Sequence, residues 1–255
     1  MDSLVEYVRT GFDGILVFGD VHGDYDSIKR AYDYAVSESF FFMSLGDLVD
    51  RAHMPFETVK LMHDVVQEGR GAFIIGNHDD KFYQYATGEA VRFSVDAKQT
   101  LVDVGPAREK EFLDMYVTLM ESRFSALYHN FDDFFFVHAA AHPAMFHGTT
   151  NTRKEEVFRY LTGETNGQRQ PDGFPVRLYN WVNEIPKDKT VMIGHDRTPY
   201  DYTKLLVNPK EVTNASGGKV VFMDTGCGKG GHLSGAVIMP DKKREFKFVE
   251  YKEFK

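Results

Sequence analysis

The sequence predicts an α/β fold whose first third builds a largely parallel sheet. Three observations carry that reading. Continuous apolar runs at Leu16–Phe18, Phe40–Leu45 and Ala72–Ile75 alternate with stretches of helical periodicity. Each run ends in glycine followed by a side chain able to bind a metal ion, at Gly19-Asp20, Gly46-Asp47 and Gly76-Asn77. Hydrophobic residues make up 42% of the 255, with 22 Phe and 13 Tyr, enough for wide sheets with an aromatic core.

Taken in order, Val17-Phe18-Gly19-Asp20-Val21-His22-Gly23-Asp24 reads as a strand entering a tight glycine-bounded loop. Asp20 and His22 then project from the strand's carboxyl end and converge on one cation if the backbone turns between them. From Asp26 to Ser39, Ile28, Ala31, Tyr32, Ala35 and Val36 recur at helical spacing, with Asp26 or Ser27 as N-cap. Phe40–Leu45 suits a strand covered on both faces and delivers Gly46-Asp47-Leu48-Val49-Asp50-Arg51. A helix over Phe56–Glu68 follows, with Pro55 in its first turn and Gly69 at its end. The next strand delivers Gly76-Asn77-His78-Asp79. Right-handed crossovers would bring these motifs to the carboxyl edge of one sheet, where α/β folds bind ligands.

Residues 81–130 mix charged and apolar residues at helical period, clearest over Ala107–Ser125, and read as a helical insertion within a single domain spanning 1–255. Phe134–Val137 is a strand delivering His138, and Arg153–Leu161 a short helix. Thr162–Pro175, rich in Gly and Pro, reads as a long irregular loop of the lid or recognition type. Thr190–Ile193 delivers Gly194-His195, and Lys219–Met223 delivers Asp224. Ser234–Met239 and Phe246–Tyr251 alternate like edge strands protected by Lys and Glu.

Composition narrows the function classes. The net charge of −8 disfavours a stable complex with long nucleic acid, because phosphate contacts set such affinity. A single cysteine, Cys227, leaves no intramolecular disulfide and no cysteine-based zinc site; it reads as a small buried residue. No apolar run approaches the ~18 residues of a membrane span, and the first residues lack a signal-peptide pattern. A soluble cytoplasmic protein without a membrane partner is the expectation.

Asp20, His22, Asp47, Asn77, His138 and His195 form an oxygen-and-imidazole set without thiolate. That chemistry suits Mn2+, with Fe, Zn, Ni or Co as other first-row choices, and six ligands suit two metals better than one. In kind and order these motifs resemble the calcineurin-like metallophosphoesterases of the phosphoprotein phosphatase type. The resemblance implies a four-layer fold, a central mixed β-sandwich flanked by helices. It makes Asp20 and His22 ligands of one ion, Asp47 the bridge, and Asn77, His138 and His195 ligands of the second. It also makes His78 the general acid, oriented by Asp50, with Arg51 clamping phosphate and a hydroxide between the metals attacking phosphorus. Ala52 after Arg51 and Asp196-Arg197 before Thr198-Pro199 depart from the family pattern. Arg197 either nears the substrate or adds surface charge.

The second half is similar to the phosphatase module of bacterial polynucleotide kinase-phosphatases, on Tyr160–Thr165, Asp172–Trp181 and Asp224–Cys227. By that likeness Asp224 lies at the site, although a turn at a strand end explains it equally well. Arg177 is a second phosphate contact or a structural pair, and His53 and His142 lie near enough in sequence to line the cleft. A two-metal phosphomonoesterase follows, acting on phosphorylated protein or on nucleotides and RNA ends, including 2′,3′-cyclic phosphates. A symmetrical dinucleoside-tetraphosphate hydrolase and a non-catalytic metal-dependent binding subunit are the alternatives.

Overall fold

The computed structural model describes residues 4–148, 153–171, 173–240 and 245–249. Asp172 and the end of the expected last strand, Glu250 and Tyr251, lie outside them. In chain order the elements are α1 (Leu4–Gly11), β1 (Gly14–Phe18), α2 (Tyr25–Ser37), β2 (Phe40–Ser44), α3 (Pro55–Gln67), β3 (Gly71–Ile74) and α4 (Asn77–Ala86). They continue with α5 (Val95–Val104), α6 (Glu109–Met120), β4 (Ser125–Ala126), β5 (Tyr128–Phe131), β6 (Phe134–Val137) and α7 (Lys154–Thr162). The last are β7 (Glu164–Arg169), β8 (Pro175–Leu178), β9 (Thr190–Ile193), β10 (Lys210–Thr213), β11 (Lys219–Phe222), β12 (Gly235–Ile238) and β13 (Phe246–Val249).

Two mixed sheets face each other, ordered β13-β12-β1-β2-β3-β4 and β10-β11-β9-β6-β5. Alternation along the strands of the second sheet shows how both its faces are filled. Phe134, Phe136, Met192 and Val221 point into the core shared with the first sheet, while Phe135, Val137, Val191, Ile193, Val220 and Phe222 point to a second core with Tyr160 of α7 and Trp181. The first sheet is backed by α2 and α3, whose apolar stripes (Ile28, Ala31, Ala35; Val59, Met62, Val66) are buried. Helix, sheet, sheet and helix form the layers of a mixed α/β fold. Each buried Phe contributes about 1.5–3 kcal/mol, so the aromatic sandwich gives a stiff base.

Register sets where the site forms. Phe18 pairs with Ser44 in parallel and Ser44 with Phe73, so the loops after β1, β2 and β3 leave the same edge. Phe136 pairs with Met192 and Phe222 with Ile193, also in parallel, which aligns the ends of β6, β9 and β11. The two rows of loops meet at one rim.

The structure corrects several expectations. Thr162–Pro175 is largely a hairpin, β7 pairing with β8, because its alternating polar residues satisfy their own backbone in a two-stranded ladder. Strand β12 is no edge: it sits between β1 and β13 and all its residues are buried. Helix α2 starts earlier than expected, capped by Asp24, whose carboxylate accepts from the Ser27 amide at 3.1 Å. After the helices α4 to α6, β4 and β5 already belong to the sheets.

Candidate metal centre

Asp20, Asp47 and Asn77 follow strands of the first sheet, and His138, His195 and Asp224 follow strands of the second. The motif glycines make the convergence possible. At Gly46 (φ 99°) a Cβ would lie 2.8 Å from the Gly76 backbone, and at Gly194 it would collide with the Asp20 carboxylate. Several functional side chains themselves hold left-handed backbone: His22 (φ 52°), Asp47 (54°), Asp50 (68°), Arg51 (97°) and His195 (63°). Such strain, concentrated in five residues at one rim, is a mark of a functional site.

Two groups of donors result, Asp20–His22–Asp47 and Asp47–His138–His195, each with its ligand atoms within 4.8 Å of one another and with Asp47 shared. His22 donates Nδ1–H to the Val49 carbonyl at 2.8 Å, and His138 donates to the Leu45 carbonyl at 2.7 Å, so both aim Nε2 inward. His22 Nε2 and Asp20 Oδ2 face each other at 3.3 Å, are buried, and have no hydrogen-bond partner among the described residues. Buried polar atoms are rarely left so. A divalent ion would satisfy both, and the donor set fits it. Asn77 Oδ1 and His195 Nδ1 each lie 3.2 Å from His138 Nε2, completing the second group.

Electrostatics divide the imidazoles. Burial pushes His22 down to about 3, aided by Lys229, so its Nε2 lone pair is available. Burial and the Arg177 guanidinium likewise hold His195 well below the usual range. Burial also acts on His138, but the Asp47 carboxylate beside it outweighs that and raises it to about 9. His78 is raised too, because the Asp47 and Asp50 carboxylates prevail over its burial. His78 Nδ1 lies 2.5 Å from Asp50 Oδ2, and Asp50 Oδ1 accepts from the Thr100 hydroxyl at 2.7 Å. That fixes the ring with Nε2 3.8 Å from Asp47 Oδ2, at the mouth of the centre.

The centre opens into a cleft of about 540 Å³ lined by Asp47, Asn77, His78 and His195 together with Arg51, Lys81, Arg169, Arg177, Arg197 and Lys229. Arg51 is held by Asp96 of α5 at 2.6 Å. Arg177 lines the cleft and stands 3.9 Å from the buried Asp196, which also accepts from Tyr179 at 2.6 Å, so it has a structural pairing and a place on the cleft wall at once. Arg197 lies on the cleft wall, and His53 and His142 do not: His53 is exposed beside Asp103, and His142 caps a 3-10 turn. Asp224 is buried and reaches the centre through Lys229, whose ammonium is 3.5 Å from Asp224 and 3.9 Å from Asp20.

Residues 14–223 match the family described as calcineurin-like phosphoesterase. The chain belongs to that family. This phosphoesterase is a metal-dependent hydrolase, as the family and the donor groups together require. It is 29% identical over 233 residues to bis(5'-nucleosyl)-tetraphosphatase PrpE, asymmetrical, of Halalkalibacterium halodurans, covering 86% of this chain and 87% of that one. The protein of the same name from Bacillus velezensis is 27% identical over 235 residues, covering 86% of each. Among solved structures, a serine/threonine phosphatase from Saccharomyces cerevisiae superposes with a TM-score of 0.55 at 15% identity, covering 95% of this chain and 81% of that one, a likeness of fold. No helix among the described residues is long and apolar enough to cross a membrane.

Sequence reasoning missed Lys229 and Asp79. Asp79 accepts from the amides of Asp47 (2.6 Å), Leu48 (3.1 Å) and Gly76 (3.2 Å) and from the Tyr116 hydroxyl (3.1 Å), tying two motifs together. Burial and the Asp47 carboxylate push its carboxyl up to about 7, against the Leu48 amide, nearby His138 and the Asp47 amide, which favour the carboxylate. Its signal was its place in Gly-Asn-His-Asp. For Lys229 the signal was the density of glycines after Asp224.

Proposed function

We propose that this phosphoesterase hydrolyses the phosphoanhydride chain of dinucleoside polyphosphates. The observation that carries this reading is the six cations of the cleft, which extend well beyond the donor groups in an otherwise acidic chain. A phosphomonoester needs few counter-charges, whereas a tetraphosphate needs several. Exposed aromatic rings at the mouth, Phe158, Phe174 and Tyr202, suit nucleobases. The tetraphosphatase names of the relatives support the same class and turn the expectation away from simple monoesters.

In this reading Asp20, His22 and Asp47 hold one divalent ion and Asp47, Asn77, His138 and His195 a second, with Mn2+ the first choice for assay. Bound ions would supply an activated water and neutralise the phosphoryl oxygens. Arg51, held by Asp96, clamps the phosphoryl group. His78 keeps Nδ1 on Asp50 and turns Nε2 to the leaving oxygen as general acid. Arg177 and Lys229 bind flanking phosphates, and Asp224 positions Lys229. A metal-dependent scaffold without turnover would not need the His78–Asp50–Thr100 chain.

The test is chromatographic product analysis with diadenosine tetraphosphate, p-nitrophenyl phosphate, a phosphoserine peptide and a 2′,3′-cyclic nucleotide side by side with Mn2+. Preferred cleavage of the tetraphosphate supports the proposal. Preference for the peptide or the cyclic nucleotide would return the enzyme to the monoesterase or RNA-end class.

A further inference from the structure

The turn after β11, Asp224-Thr225-Gly226-Cys227-Gly228-Lys229-Gly230-Gly231, brings an ammonium against the donor groups. It is pinned from within: the Lys229 and Gly231 amides both donate to the Gly226 carbonyl at 2.9 Å, and the Thr225 hydroxyl donates to the His232 carbonyl at 2.7 Å. Gly228, at φ 68°, lies directly on the chain at His22, where a Cβ would fall 2.6 Å from the His22 carbonyl oxygen. The turn thus rests on a donor residue, and its lysine reaches the donors themselves. Lys229 Nζ, on a side chain only 15% exposed, stands 3.5 Å from Asp224 Oδ2 and 3.9 Å from Asp20 Oδ2.

Both carboxylates use their other oxygen on backbone. Asp20 Oδ1 accepts from the His195 amide at 2.8 Å, and Asp224 Oδ1 from the Gly226 amide at 2.9 Å. Oδ2 of each is buried and has no hydrogen-bond partner among the described residues, so the contacts with Lys229 are contacts of charge alone. His22 Nε2, 3.3 Å from Asp20 Oδ2, is in the same state. Asp20 belongs only to the Asp20–His22–Asp47 group, whereas Asp47 is common to both groups and pairs with histidines alone among the described residues. The ammonium therefore bears on one ion site and not equally on the other.

From this we infer that Lys229, counterbalanced by Asp224, makes the Asp20–His22–Asp47 site the weaker of the two ion sites and ties its filling to phosphate, an inference that rests on the two-ion reading above. A divalent ion held by Asp20 shares that carboxylate with the ammonium, and two cations so close in a buried space repel with little screening. Asp224 offsets part of the repulsion by pairing with the ammonium. Lys229 also lines the cleft, so a phosphate bound there brings negative charge to the ammonium and to the ion together. Ion and phosphate then favour each other by the same factor.

The deciding experiment is calorimetric titration of the chelated protein with Mn2+, which reads ion binding without turnover. Wild type should take up two ions in unequal steps. Lys229→Met should tighten the weaker step by about tenfold or more, and Asp224→Asn, which leaves the ammonium uncompensated, should weaken it by a similar factor. The double variant should return close to wild type, and Lys229→Arg, which keeps the charge, should resemble it. A loss of packing would weaken binding in both single variants, so the opposite signs separate charge from structure. Inorganic phosphate should tighten the weaker step in wild type and do so much less in Lys229→Met. A Lys229→Met protein with wild-type circular dichroism and unchanged or weakened steps would overturn the inference, as would an equal effect of phosphate on both proteins. Wild type that binds one ion or none would instead remove the two-ion reading on which the inference stands.

Discussion

At the scale of the residue, His78 carries the sharpest commitment. Its ring is fixed through Nδ1 by Asp50, itself fixed by Thr100, and its amide donates to Asp47 Oδ1 at 3.0 Å, while the ring stands beside the donor groups without replacing any of them. His78→Ala should therefore lower kcat by about 10²–10⁴ while divalent-ion binding, measured by calorimetry, stays close to wild type. The loss should be steep for alkyl phosphates, whose leaving oxygen is strongly basic, and shallow for p-nitrophenyl phosphate, whose leaving group, like that of a phosphoanhydride, needs little protonation. Equal losses for both would show that His78 does not act as an acid. Thr100→Val leaves Asp50 and His78 in place and should cost less than Asp50→Asn; Thr100 stands at |i−j| = 50 from Asp50, so no spacing in the sequence announces it.

At the scale of the element, Asp79 joins the β2–α3 loop to the start of α4, with Tyr116 of α6 as its fourth donor. Asp79→Ala would leave three buried amides without an acceptor, and a loss of at least about 2 kcal/mol is expected by urea denaturation. Tyr116→Phe should cost only about 1 kcal/mol and weaken ion binding slightly, because three donors remain. The strand-end motifs were legible in the sequence because each combines an apolar run, a glycine and a polar ligand within a few residues. Residues whose partners come from distant elements were not: Lys229 meets Asp20 across the sandwich, and Arg51 meets Asp96 through a helix with no sequence relation to it. The β7–β8 hairpin was missed because its strands, Glu164–Arg169 and Pro175–Leu178, bury no continuous face and so lack the apolar alternation that betrays a strand. It is held instead by pairing and by Arg159, which binds Glu164 at 2.9 Å and Glu184 at 2.6 Å.

At the scale of the whole molecule, the donor groups draw on both sheets, so bound ions would tie the two halves of the fold together. A protein saturated at 100 times its Kd gains about 2.7 kcal/mol, so Mn2+ should raise Tm by roughly 5–10 °C over the chelated enzyme. Asp47→Asn, at the residue common to both donor groups, should abolish the shift. Charge distribution gives a second, signed test. The chain carries a net −8, which by itself repels a polyphosphate, so salt screening would speed association if that field governed encounter. The six cations of the cleft act at shorter range and with the opposite sign, and the low-dielectric walls around them focus their field. If the cleft governs capture, kcat/KM for the tetraphosphate should fall by about an order of magnitude between low salt and ~0.5 M, with kcat nearly constant. Arg169→Ala, on the hairpin wall, should flatten that dependence. A kcat/KM that rises with salt would mean that the net charge outweighs the cleft, and the polyphosphate assignment would lose its electrostatic basis.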